Sequence, residues 1–128
     1  MSYYFAKTVD LSFDDALSRV TDALAREGFG VLTTIDVQAT MKKKLDVEFR
    51  PYVIFGACNP GFAYKALQAE DKIGAMLPCN VVVQRLRSGE IEVAAVDPQA
   101  SMSAVENESL AGIAGEVRDT LKRFIENL

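Results

Sequence analysis

The dipeptide Ser88-Gly89 constrains this chain more than any other feature. It separates two stretches, 79–87 and 90–97, that are rich in β-branched residues. A two-residue link between strands makes an antiparallel hairpin and sets its register. In that register Arg87 faces Glu90 and Arg85 faces Glu92, so opposite charges meet across the strands. Leu86 then faces Ile91, and Val82 faces Ala95, on the other side. Val81 and Val83 fall on the side of Arg85, which leaves that face of the sheet partly apolar.

Helices must cover one face of such a sheet. After a first strand, Tyr3 to Val9, Ser12 with Asp15 makes a capping signal. Phe13, Ala16, Leu17, Val20 and Leu24 then recur at helical spacing, with charged residues between them. Gly28 ends that helix in the left-handed conformation. A second strand spans 30–37, and Asp36 caps a short helix through Leu45. Glu48 to Cys58 forms a third strand, with Pro51 placing it at an edge, at a bulge or at a late start. Asn59-Pro60 starts a helix that runs to about Glu70. Asp97-Pro98 is a break, and Ser103 or Asn107 caps a final helix. Its apolar stripe runs from Leu110 through Val117, Leu121 and Phe124 to Leu128. Gly112 and Gly115 lie inside it, and close packing against a neighbour is their expected reason.

The order is β-α-β-short α-β-α-β-β-α over residues 1–128, read as a single α+β domain. The expected architecture is two layers: a mostly antiparallel, twisted sheet, the hairpin at one end, and the long helices on one face. The other face, partly apolar, invites a homodimer.

Composition narrows the chemistry. The chain has no histidine, which excludes His-based triads and imidazole metal ligands. The net charge is −4, and neither half is basic, so no nucleic-acid partner is expected. The basic run Lys42-Lys43-Lys44 reads as a solvated helix face. No secretory leader is evident at the N-terminus, and no apolar run is long enough to span a membrane. Two cysteines, Cys58 and Cys79, are too few for a disulfide scaffold and too far apart for a CxxC motif, so the expected location is cytoplasmic.

The candidate site is a pair of similar tripeptides, Cys58-Asn59-Pro60 and Pro78-Cys79-Asn80, each at a strand end. The first also opens a helix, where unpaired N–H groups and the helix dipole favour a thiolate or an anion. Cys58, Asn59, Cys79 and Asn80 are therefore the expected ligand-binding residues, with Cys58 the more reactive thiol and a small anionic or thiol-reactive molecule as ligand. The competing readings are cysteines that only fill space, redox or sulfur-transfer chemistry, a Cu(I) ion held by two thiolates, and a protein-interaction module without a small-molecule site. No cofactor is expected, and no catalytic residue is assigned. Asp14-Asp15 do not converge on a helix, and Tyr52, Tyr64 and Lys65 read as packing or solvent residues near that strand end.

These segments resemble the bacterial and archaeal domain-of-unknown-function family 302. The signals are Tyr4-Phe5, Glu27-Gly28-Phe29-Gly30, the stretch Val37 to Lys42, Gly56-Ala57-Cys58-Asn59-Pro60, and Leu77-Pro78-Cys79-Asn80-Val81-Val82-Val83. Ala63, Ala66, Leu67 and Gly74 also sit where the family pattern has them. The resemblance implies a TATA-binding-protein-like α+β fold and a dimer, and it places any family-wide site at the two Cys-Asn motifs. It implies no DNA binding, because function resides in sites rather than folds.

Overall fold

The computed structural model describes residues 2–128. Among these residues five strands form one antiparallel sheet in the order β1-β5-β4-β3-β2. They are β1 (Tyr4–Val9), β2 (Gly30–Asp36), β3 (Tyr52–Cys58), β4 (Cys79–Arg85) and β5 (Ile91–Val96). The helices are α1 (Phe13–Arg26), α2 (Val37–Leu45), α3 (Pro60–Ala69), α4 (Pro98–Ser101) and α5 (Glu108–Glu126), with a 3-10 turn at Ile73–Met76. This is the α+β domain expected. Its third strand starts late, directly after Pro51.

The caps form as their residue types require. Ser12 Oγ accepts from the Asp15 N–H at 3.1 Å, and Asp36 Oδ1 accepts from the Ala39 N–H at 2.9 Å. Gly28 (φ 83°) closes α1, and the next N–H, of Phe29, donates to the Leu24 carbonyl at 2.9 Å. Asn107 rather than Ser103 caps α5, accepting from the Ser109 N–H. The Asp97-Pro98 break holds a helical turn of its own, α4, capped by Asp97.

The hairpin forms, but its register differs by one residue from the expected one. The link is Arg87-Ser88-Gly89, closed by Leu86 N–H to the Glu90 carbonyl at 2.8 Å. Gly89 (φ 91°) takes the left-handed position that ends a three-residue loop. Val83 therefore faces Val93, Val82 faces Ala94, and Gln84 rather than Arg85 faces Glu92. Gln84 Nε2 donates to Glu92 Oε1 at 3.0 Å. A one-residue slip turns one strand's side chains over relative to the other's. Val81 and Val83 consequently lie fully buried beside Val93 and Ala95, under the helices. The uncovered face carries Ile54, Val82, Gln84, Glu92 and Ala94 instead, all half-buried. Nor is the hairpin at one end of the sheet, since β4 is its central strand.

Two apolar clusters result. The larger joins the covered face of the sheet to α1 (Ala16, Val20, Leu24) and to the C-terminal half of α5 (Val117, Leu121, Phe124, Ile125). The smaller is Ala66 of α3, Ile73 and Leu110 of α5, flanked by Leu77, Met102 and Val105. At its far end α5 is tied to the end of α1 by a two-pronged pair between Arg123 and Glu27, with N···O distances near 3.0 Å.

The glycines inside α5 are not both closely packed. A Cβ at Gly112 meets nothing, and one at Gly115 meets only the tip of Gln99. Gly112→Ala is expected to raise stability by about 0.5–1 kcal/mol through helix propensity. Gly89→Ala is expected to lower it by about 1 kcal/mol, because its φ is left-handed. Urea unfolding of the two variants checks both signs.

Candidate functional site

Where β3 ends, three functions fall on three successive residues. Cys58 closes the strand, Asn59 caps α3 and Pro60 is its first residue. The Asn59 Oδ1 accepts from the Phe62 N–H at 3.2 Å. Next door, β4 begins at Cys79, which pairs with Ala57 in the ladder. Cys58 is half-buried and Cys79 is 7% exposed.

Cys58 and Cys79 both border one cavity of about 320 Å³. Its walls are the end of the sheet (Ala57, Cys58, Cys79), α3 (Phe62, Ala63, Ala66), the segment from Gly74 to Pro78, and α5 (Leu110, Ile113, Ala114, Val117). Pro98 and Met102 close one side. The cavity therefore lies between the two apolar clusters, with Ala66 and Leu110 from the smaller and Val117 and Cys79 from the larger. Small side chains at Ala63, Ala66, Gly74 and Ala114 keep it open.

Leu32 stands at the rim. It is the extra residue of a bulge: Val31 pairs with Ala57 and Thr33 with Gly56, leaving Leu32 unpaired. Bulges re-aim side chains near sites of this kind. The sequence carries no local signal for it.

The lining is almost wholly apolar. Asn59 supplies an amide, the two cysteines supply thiols, and no Lys or Arg is among the lining residues. Burial, with a smaller contribution from the neighbouring Cys58, pushes the Cys79 thiol up to about 11. At neutral pH Cys79 is protonated. Among the described residues no group of three or more His, Cys, Asp or Glu side chains comes together as a metal site.

Cys58, Asn59 and Cys79 are thus brought together, and Asn80 is not. Asn80 is exposed and pairs with Gly56, and it borders a depression on the uncovered face with Tyr4, Tyr52, Val82 and Gln84. Strand alternation separates it from its neighbour Cys79. Tyr52 lies on that same face, stacked near Phe49 and Arg50. Tyr64 is 67% exposed, Lys65 is exposed, and neither lines the cavity.

Residues 5–128 match the family model described as "Domain of unknown function DUF302". The chain belongs to this family. Among solved structures it is similar to one described as an uncharacterized conserved DUF302 protein from Bacillus stearothermophilus. The two share 25% identity and a TM-score of 0.91, and the alignment covers 98% of each chain. A comparison with curated proteins found no match. Among the described residues no helix is long and apolar enough to cross a membrane.

The raised thiol has a consequence for stability. An unfolded cysteine ionises near pH 9, whereas Cys79 in the fold holds its proton to about pH 11. The folded state then binds more protons in that window, so stability falls as pH rises from about 9 to 11 and the loss levels off above it. Denaturant unfolding at several pH values checks this, with Cys79→Ala expected to show a shallower fall over that window than the parent chain.

Proposed function

We propose that this protein binds a small, mainly apolar molecule in the cavity beside Cys58, Asn59 and Cys79. The observation that carries the reading is the cavity's lining: apolar walls with a few polar groups gathered at one side, the usual composition of a ligand pocket. The same lining selects among ligands. An anion entering it meets two thiols and one amide but no cationic side chain, so a neutral ligand is favoured over an anionic one. Asn59 orients a polar atom of the ligand at the half-buried side, and Cys58 is positioned to react if the ligand is a soft electrophile.

A neutral fluorescent naphthylamine serves as probe. Its emission is expected to rise and saturate with the protein, and Ala63→Phe, which fills the cavity from α3, is expected to weaken binding at least about tenfold. Unchanged binding by a folded Ala63→Phe variant contradicts the reading.

A second surface supports a homodimer. The sheet's uncovered face carries Ile54, Val82 and Ala94 in one cross-strand row. A second copy laid on that row buries apolar area on both partners through one self-complementary patch. Val82→Glu then gives a monomer by light scattering, while the parent chain has twice the mass. A monomeric parent chain removes this reading.

A further inference from the structure

One apolar row crosses the uncovered face from edge to edge. Ile35 pairs with Ile54, Ile54 with Val82, Val82 with Ala94, and Ala94 with Ala6. Directly opposed residues of an antiparallel ladder share a face. The row is graded in size: two isoleucines at the β2 edge, Val82 on the central strand, two alanines at the β1 edge.

The charges are graded along the same direction. Helix α2 leaves the β2 edge and has no buried residue. Nine residues make a helix that is marginal without a packing partner. Its Leu45 is 67% exposed. Lys42 is held by Asp46 and Glu48, whereas Lys43 and Lys44 are exposed and pair with no carboxylate among the described residues. At the same end of the strands, the β1 edge and the hairpin carry Asp10 and Glu90. These two line a depression with Ser88 and no cationic side chain, and Arg87, exposed in the hairpin loop, is not part of its lining. The row Tyr52-Gln84-Glu92-Thr8 joins the two corners across the sheet.

We propose that a second copy of this chain stacks on the uncovered face about a two-fold axis running along β4, so that α2 of each copy docks at the Asp10–Glu90 corner of the other. This geometry rests on the homodimer reading above. Rotation about the central strand exchanges the β2 edge with the β1 edge and keeps each residue at its level along the strands. Val82 meets the partner's Val82, Ile54 meets the partner's Ala94, and Ile35 meets the partner's Ala6. Large side chains lie over small ones, and the two sheets stay aligned, the arrangement in which inner faces interdigitate. Lys43 and Lys44 come to the partner's Asp10 and Glu90. An axis across the strands instead lays isoleucine on isoleucine and alanine on alanine. It also carries α2 to the partner's Gly30 end, where Glu27 is already paired with Arg123.

Area favours the same use of α2. Five strands about 4.8 Å apart, each six or seven residues long, present about 500 Å². A stable interface buries about 800 Å² per partner, so the sheet face alone falls short and α2 adds to it. The exposed ion pairs add little affinity and set the orientation.

Carbodiimide coupling, which joins an amine directly to a carboxylate, tests this on an equal mixture of isotope-labelled and unlabelled parent chain. The covalent dimer is expected to give a mixed-label fragment joining the Lys43-Lys44 peptide to the peptide of Asp10 or Glu90. Lys43→Glu with Lys44→Glu is expected to raise the dissociation constant of the dimer at least about tenfold at low salt, and Asp10→Lys with Glu90→Lys to do the same. All four changes together are expected to return it to within about threefold of the parent. A monomeric parent chain overturns the homodimer reading and this geometry with it. A dimeric parent chain overturns this geometry alone if neither pair of reversals moves its dissociation constant, or if its cross-links run from Lys43-Lys44 to Glu27 of the other copy. The cross-link is read on the parent chain, so a poorly folded variant does not obscure it.

Discussion

Helix α5 is shared between two apolar clusters, and the rest of the structure depends on that sharing. Its C-terminal half packs Val117, Leu121, Phe124 and Ile125 on the sheet and α1. Its first turn sends Leu110 to Ala66 and Ile73. Between the two lies Ala114, buried yet too short to bridge them. One rigid helix with a large residue at each end and a small one between holds two cores apart. Side chains lining a gap lose contacts on one side, a cost that a well-packed core avoids by collapse. Here collapse is resisted because α5 is anchored at both ends, by Leu110 and by the Arg123–Glu27 pair.

The same gap brings the sheet's end into play. The turn from β3 to α3 uses Cys58 as the last strand residue and Asn59 as the cap. The local needs of a strand-to-helix turn thus place a sulfur and an amide at the cavity's only polar corner among the described residues. Cys79 arrives from the adjacent strand, and the Leu32 bulge brings an apolar side chain to the rim. The chemistry at the site follows from this: thiols and one amide in an apolar wall, without the cation that an anion site would have.

Much of this was legible in the residues. Ser12, Asp36 and Asn59 each cap the helix that their position announces, because a side-chain oxygen beside orphan N–H groups has one good use there. The two Cys-Asn motifs are legible as strand ends, but whether Cys58 and Cys79 are neighbours is not; the pairing of Ala57 with Cys79 brings both to one end of the sheet. The hairpin register was not legible. Ser-Gly serves both as a two-residue link and as the end of a three-residue loop, and the Arg–Glu pairs looked well matched in the wrong one. That slip hid the burial of Val81 and Val83 and left a false picture of the uncovered face. Asn80 was misplaced for a related reason: in a strand, a neighbour in sequence points to the other side. The cavity itself comes from Ala63, Gly74, Met102 and Ala114, four separate segments that only the tertiary fold brings together.

A titration followed by two-dimensional amide NMR, with the neutral naphthylamine as ligand, tests the central claim most directly. If the gap between the two clusters is a binding site, the saturating shifts gather at Ala57, Cys58, Ala63, Met102 and Ile113, and Ile54, Val82 and Ala94 stay in place. Shifts confined to Ile54, Val82 and Ala94, with the cavity residues unmoved, contradict it and move the binding surface to the uncovered face of the sheet.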